Sequence, residues 1–256
     1  MKGLFGGKER SRGGERESVV VSPAPGAEPS YEVSFDELRT GFTAAVSHEL
    51  RTPLARILAL LDSAELPGAD VPALLEHARA EVEHAGGLID EILFLSELES
   101  GKEVVSLGHT NALPVLQSVV DEMEDKAARA GVELRAEGDP GVDLPLRERM
   151  LRIVAENLAE NAIRYAGHGS SFTVAVARED GAVVLAAADD GIGVDEADLG
   201  RLFERFWRGD AARASRGTGL GLAIVKHVVG AAGGSVEARG GRGRGLEIRC
   251  VFPTTC

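Results

Sequence analysis

The chain has 256 residues, 44% of them hydrophobic, and 28 Lys and Arg against 41 Asp and Glu give a formal charge of −13. That balance argues against a protein whose main partner is DNA or RNA, because neutralising phosphates needs a basic face. Cys250 and Cys256 sit together at the C-terminal end and can build neither a disulfide framework nor a four-ligand metal site, so a reducing compartment is expected.

Residues 1–33 are rich in Gly, Ser, Arg, Glu and Pro, and with Pro23, Pro25 and Pro29 close together they read as a flexible tail. Val19–Val21 is too short for the apolar region of a signal peptide, and the apolar run around Gly217–Val225 falls far short of the roughly 20 residues that span a bilayer. Ser34 followed by Glu37 is a capping box that opens a helix. Val46, Leu50, Leu54, Ile57 and Leu61 then recur at helical spacing to about Glu65. After a turn at Pro67, Gly68 and Asp70, a second stripe of Leu75, Ala78, Val82, Ala85, Ile89, Ile92 and Leu95 stops at Gly101. Residues 34–101 are therefore a helical hairpin. A lone hairpin has no partner for both stripes, which predicts a homodimer built as a four-helix bundle. Gly86 and Gly87 lie inside the second helix and mark either a bend or close packing.

Residues 102–111 read as a linker and 112–256 as a second domain of mixed helix and strand. Helices are expected over 112–129, 146–165 and 219–231, and strands over 132–136, 172–178, 182–188, 235–239 and 246–252. Hairpins of strands with helices between them predict an α/β sandwich, helices on one face of a mixed sheet, so the fold class of the whole chain is α+β.

On the first helix His48 points away from the apolar stripe, with Glu49 beside it and Thr52 one turn on. An exposed imidazole next to a carboxylate is a usable nucleophile: one ring nitrogen attacks while the acid orients the other or takes its proton. Pro53 removes a helix hydrogen bond just past this pair and predicts a kink. In the second domain, Asn157 and Asn161 lie at i and i+4 on one helix with Arg164 and Tyr165 following, and amide oxygens plus a cation suit a magnesium triphosphate. Asp189-Asp190-Gly191-Ile192-Gly193 follows an apolar strand, where a carboxylate can read an exocyclic amine and glycines let the backbone approach. Phe203 and Phe206 offer an aromatic clamp. Gly217-Thr218-Gly219-Leu220-Gly221 opens a helix whose free N–H groups favour phosphate. Between them, residues 201–216 hold five Arg against two acids, a positive lid in an acidic protein.

Taken singly, each segment reads better as ordinary structure: a polar helix face, a turn, a minor core, a tight helix entry. Their joint occurrence in this order does not. No Gly-x-x-x-x-Gly-Lys-Ser/Thr is present, and Ile224 stands where a dinucleotide fingerprint needs its third Gly or Ala, which excludes P-loop and Rossmann proteins.

With these residues on the page, the chain over 34–256 resembles a two-component sensor histidine kinase: a dimerisation and histidine-phosphotransfer hairpin followed by a Bergerat-type ATPase domain. The resemblance implies that ATP phosphorylates His48 with Glu49 as acid/base partner, and that the phosphoryl group then passes to an aspartate of a response regulator. Thr52 resembles the residue that positions water when such proteins dephosphorylate their regulator. Asn161 resembles the Mg2+ ligand, with Asn157, Arg164 and Tyr165 near the phosphates and nucleotide. Asp189 matches the adenine-reading carboxylate, and Gly191, Gly193, Gly217, Gly219 and Gly221 the glycine boxes. The sequence departs from the family pattern at Gly86-Gly87, where Arg-Leu is frequent, at Ala232, where His is common, and at Leu246, a frequent Thr. Two other readings compete: a phosphatase-biased or non-catalytic dimeric scaffold that binds nucleotide, and a chaperone-like or repair-type ATPase, disfavoured by the His-bearing hairpin. A cytoplasmic location is expected, at the inner face of a membrane if a partner protein or an upstream segment delivers the signal; the basic residues Lys2, Lys8, Arg10, Arg12 and Arg16 resemble a juxtamembrane flank.

Overall fold

A computed structural model describes residues 18–21, 35–99, 108–209 and 217–253. The chain divides into two compact units, Ala24–Glu97 and Leu98–Cys256, with an N-terminal strand belonging to the second.

The first unit is the predicted hairpin. Helix α1 spans Phe35–Ala64 and α2 spans Val71–Glu99. Thirty residues at 1.5 Å rise make α1 about 45 Å long. The turn between them needs a left-handed residue, supplied by Gly68 at φ +83°. Asp70 then caps α2, its Oδ1 accepting the Ala73 N–H at 3.2 Å. Ser34 and Gly101, the expected first cap and stop, lie outside the described residues. The helix continues through Pro53, which is buried, rather than ending there.

The apolar stripes separate into two sets. Pro53, Ala78, Leu88, Leu95 and Leu98 are buried, whereas Leu54, Leu58 and Leu61 on α1 and Leu75, Val82 and Ile89 on α2 stay exposed. The last three are spaced by seven residues, the repeat of a helix seam. Each helix thus shows one apolar face to its neighbour and a second that the described residues leave uncovered. Glu81 is buried among the first set, within 3.7 Å of Arg56.

The second unit is an α/β sandwich. Strands β1 (Ser18–Val21), β3 (Glu133–Gly138), β5 (Ser171–Glu179), β6 (Ala182–Asp189), β7 (Ser235–Gly240) and β8 (Leu246–Pro253) form one sheet in the order β1-β7-β8-β6-β5-β3. Only β3 and β5 run parallel, so the sheet is mixed. Two-residue strands β2 (Thr110–Asn111) and β4 (Asp143–Leu144) pair separately. Helices α3 (Ala112–Ala130), α4 (Glu148–Tyr165) and α5 (Gly221–Ala231) cover one face, their buried Leu116, Leu151, Val154, Leu158, Ile224 and Val228 meeting Val174, Val176, Leu185, Ile248 and Cys250 of the sheet. The other face alternates with charge: Arg249 of β8 reaches Glu179 at 2.5 Å and Glu247 at 3.7 Å, and Arg239 pairs with Glu237 at 2.7 Å. Among the described residues, no helix is long and apolar enough to cross a membrane.

Residues 1–33 do not all behave as the expected tail. Ser18–Val21 pairs antiparallel with β7, Val19 opposite Ala238 and Val20 opposite Glu237. Three consecutive β-branched residues favour extended backbone, and the open edge of β7 supplies the hydrogen-bond partners. The remainder of that tail, and residues 102–107 of the expected linker, lie outside the described residues.

Gly86 and Gly87 sit in unbroken helix with open space where a Cβ would go. Gly86→Ala and Gly87→Ala are therefore expected to raise hairpin stability by about 0.5–1 kcal/mol each, since helical glycine costs that much relative to alanine. Urea unfolding followed by circular dichroism reads the shift in midpoint.

Candidate functional site

The site is assembled where α4, the end of β6 and the start of α5 come together. Asp189 ends β6 half-buried, and its Oδ1 accepts the Gly191 N–H at 3.0 Å. Burial pushes its carboxyl above the ordinary aspartate range, against hydrogen bonds from the Gly191 and Leu246 backbone that favour the charged form. Asp190 turns elsewhere: Ser171 N–H and Oγ both donate to it at 2.7 Å, and these bonds hold its carboxyl below the ordinary range. Two adjacent carboxylates are thus split, one facing the site and one fixing the loop to β5.

The loop after Asp189 is held backbone against backbone. Ile192 N–H donates to Ala166 O at 2.9 Å, at the end of α4, while Gly191 O and Ile192 O accept from Gly245 and Gly243 at 3.1 and 2.7 Å. A side chain at Gly191 would strike the Ala166 carbonyl, and one at Gly245 the Asp189 carbonyl. The turn 240–245 between β7 and β8 is therefore part of the frame, and the sequence reading passed over it. Its signal was present as Gly-Gly-Arg-Gly-Arg-Gly between two strands. Arg242 lies 3.4 Å from Asp195 and Arg244 pairs with Glu196, which ties the turn to the 3-10 turn Glu196–Arg201.

On α4, Asn157 Nδ2 donates to the Ile153 carbonyl at 2.8 Å, leaving its Oδ1 toward Gly221, where an added Cβ would come within 2.6 Å. Asn161 is half-buried with no hydrogen bond to its side chain among the described residues. A Cβ on Gly217 would lie 2.5 Å from the Tyr165 hydroxyl and 2.8 Å from Arg164 Nη1. The glycines at 217 and 221 thus bring backbone amides onto the polar face of α4. Thr218 Oγ1 accepts the Leu220 N–H at 3.2 Å and shapes the entry to α5, with Leu220 fully buried below it. Glu160 lies between Lys126 at 2.5 Å and Arg164 at 3.4 Å, linking α3 to this face.

The aromatic pair divides. Phe203 is 4% exposed and serves as core, while Phe206 is half-buried with φ +60° and donates its N–H to Gly219 O at 2.9 Å. A bulky residue in left-handed backbone is costly, and it persists here because Gly219, itself at φ +70°, receives it. Trp207 follows, with the Arg201 guanidinium 5.7 Å from its ring centre. Residues 210–216 of the expected lid, with Arg213 and Arg216, lie outside the described residues. A different cleft of about 790 Å3 opens between α3 and β3, but Asp121, Glu124, Glu133 and Asp190 line it, a wall that repels polyphosphate.

In the hairpin, His48 and Thr52 are exposed on α1 and Glu49 is half-buried. Thr52 Oγ1 donates to the His48 carbonyl at 3.3 Å.

Comparison with known proteins agrees with both units. The His Kinase A (phospho-acceptor) domain family matches residues 38–101, and the family of histidine kinase-, DNA gyrase B- and HSP90-like ATPases matches 147–255. The chain belongs to the sensor histidine kinases. It is 32% identical over 221 residues to the sensor-like histidine kinase SenX3 of Mycobacterium tuberculosis, covering 84% of this chain and 54% of that protein. The chain therefore spans about half the length of the curated relative it matches. Histidine kinase AdeS of Acinetobacter baumannii shares its fold, with a TM-score of 0.67 at 22% identity over 82% of this chain and 98% of that one. So does histidine kinase ThkA, solved in complex with response regulator protein TrrA, with a TM-score of 0.69 at 20% identity over 88% of this chain and 65% of that one.

The Asp190 anchor carries a pH signature. Its folded pKa is depressed, so the stability it contributes is present above the unfolded aspartate value and is lost as pH falls through the folded one. Asp190→Asn is expected to destabilise the ATPase unit by no more than about 1 kcal/mol at neutral pH, because the site is exposed. It is also expected to flatten the acid limb of stability, and denaturant midpoints measured from neutral pH down to below the aspartate range check the sign.

Proposed function

We propose that the chain is an ATP-dependent protein-histidine kinase that phosphorylates its own His48 and passes the phosphoryl group to an aspartate on a response regulator. One observation carries the reading: an exposed imidazole beside Glu49 stands on a hairpin helix, and the same chain continues into a unit whose glycines lay backbone amides on an amide-bearing helix. Asp189 accepts the exocyclic amine of adenine. The N-terminal amides of α5, with Arg164, take the phosphates. Asn161 fits Mg2+, a hard ion that prefers oxygen donors: its side-chain oxygen faces no protein donor, and among the described residues no cluster of three or more His, Cys, Asp or Glu competes for a metal. Bound there, Mg2+ would neutralise charge on the phosphate oxygens. Tyr165 and Phe206 close the nucleotide's flanks.

In the transfer, a ring nitrogen of His48 forms a bond to the γ-phosphorus while the bond from that phosphorus to the bridging oxygen breaks, and ADP leaves. The proton on the other ring nitrogen passes to Glu49. The second step breaks the P–N bond and forms an acyl phosphate on the regulator's aspartate. Catalysis here is positioning and electrostatics, as in other phosphoryl transfers. A receiver domain as partner draws on the regulator-bound relative, ThkA. A second copy of the chain as partner draws on the uncovered seam of Leu54, Leu61, Leu75, Val82 and Ile89.

Incubation with γ-labelled ATP is expected to give acid-labile labelling of the wild type and none of His48→Gln; equal labelling of the two would sink the assignment. Asp189→Asn should raise the KM for ATP by about tenfold, the value of one charged hydrogen bond. Because burial raises the Asp189 pKa, ATP affinity should fall with decreasing pH before an ordinary aspartate would protonate, and that dependence should vanish in Asp189→Asn. Exposed Thr52 favours a second activity at the same hairpin, removal of the phosphoryl group from the regulator. Thr52→Ala should leave self-labelling intact and lengthen the life of the phosphorylated regulator, read by chasing labelled regulator with each variant.

A further inference from the structure

Glu160 has no part in the chemistry above, yet it stands among the residues that carry it. On α4 it follows Asn157 by three residues and precedes Arg164 by four, so the three share one face of the helix. Its carboxylate meets two cations. Oε1 accepts from Nζ of Lys126, on α3, at 2.5 Å, and Oε2 accepts from Nη2 of Arg164 at 3.4 Å. The glutamate lies N-terminal to the arginine, the favourable order for a pair at this spacing. The other end of the guanidinium lies against the glycine turn: Nη1 is 2.8 Å from where a Cβ on Gly217 would stand. The planar fork of Arg164 therefore reaches from Glu160 to the entry of α5. A bare carboxylate at this place would repel a triphosphate. Lys126 offsets that charge from the far side, and the row Lys126, Glu160, Arg164 alternates in sign with one net positive charge. Nor is the Lys126 tie needed to keep α3 on α4. Arg152 of α4 bonds Glu122 and Ser118 of α3 at 2.8 and 3.0 Å, and Leu116, Val119, Met123 and Ala127 are buried along α3.

We propose that Glu160, clamped by Lys126, is a positioning residue: it holds the Arg164 guanidinium beside Gly217, where it receives the phosphate chain of ATP. A free arginine samples many rotamers, and a ligand that binds it must arrest them; one already fastened has less freedom to lose. The fork has five N–H donors, so a single bond to Glu160 leaves enough of them for phosphate. All three side chains are partly exposed, and salt screens such pairs, so the consequence is a modest factor in affinity. The inference rests on the reading of Arg164 as a phosphate ligand, and its experiment separates the failure of one from the failure of the other.

The experiment is a double-mutant cycle in the full chain. Lys126→Met with Glu160→Met removes the clamp as a pair, which leaves the net charge unchanged and keeps good helix formers on both helices. The second arm is Arg164→Met, and the third combines all three changes. Calorimetric titration with Mg2+ and the β,γ-imido analogue of ATP, which cannot transfer its phosphate, reads affinity without turnover. Loss of the clamp should weaken binding about threefold to fivefold in the presence of Arg164 and not at all in the Arg164→Met form. In self-labelling the same change should raise KM for ATP by that factor and leave the rate at saturating ATP unaltered, the pattern of lost binding rather than lost chemistry. Undiminished affinity in the clamp-free form, or an equal loss with and without Arg164, overturns the positioning role. Should Arg164→Met bind the analogue as well as the wild type, the phosphate reading of Arg164 fails and the proposal with it; should Arg164→Met weaken binding while the clamp-free form does not, only the proposal fails.

Discussion

Close backbone approach at the end of β6 is the constraint on which the ATPase unit depends. Gly191 turns its N–H onto Asp189 and its carbonyl onto Gly245, and the next residue bonds to the carbonyl that ends α4. Strand, helix and turn meet at distances that leave no room for a side chain. Burial of a carboxylate disfavours its charged form, and fixed dipoles aimed at it work in the opposite direction. The hydrogen bonds from Gly191 and Leu246 supply those dipoles, and the separate fastening of Asp190 to Ser171 keeps its like charge tied down beside β5.

The two units answer different physical demands. The ATPase unit closes its own core, with the three helices and the sheet burying nearly every large apolar side chain they carry. The hairpin does not: nearly all the exposed large hydrophobics of the described residues lie on it, and Ile192 is the exception. Charge is distributed just as unevenly. Residues 36–101 hold 13 acids and 4 bases, while residues 201–216 hold five Arg and two acids, so the basic residues of an acidic chain collect where a polyphosphate would be received.

Much of this was legible in the sequence because it is periodic. Both hairpin helices, three helices of the second unit and its five long strands follow from spacing and from glycine or proline punctuation. What escaped was set by tertiary pairing. β2 and β4 are two residues each and exist because Thr110 and Asn111 meet Leu144 and Asp143 across a loop. β1 needed the edge of β7, more than two hundred residues away. The apolar stripes were read as single faces, but each helix carries a buried and an exposed apolar set, so Leu75, Val82 and Ile89 part from Ala78 and Leu95. In the candidate site, Asp189, Asn157, Asn161 and the glycines from 191 to 221 were singled out by residue type and order, and the fold brings them near one another. Phe203 was read as a clamp, and its burial shows that an aromatic in a polar stretch can be the stretch's own anchor.

The bond from Phe206 N–H to Gly219 O joins the two ends of the arginine-rich segment expected to act as a lid. It makes that segment a loop with a fixed mouth, whatever its contents. The entropy of closing such a loop grows only with the logarithm of its length, about 0.6 kcal/mol for each doubling. The length and sequence of the segment between Phe206 and Gly219 are therefore nearly decoupled from the geometry of the frame below. Insertions and substitutions between Phe206 and Gly219 can accumulate without disturbing the meeting of α4, β6 and α5 beneath them.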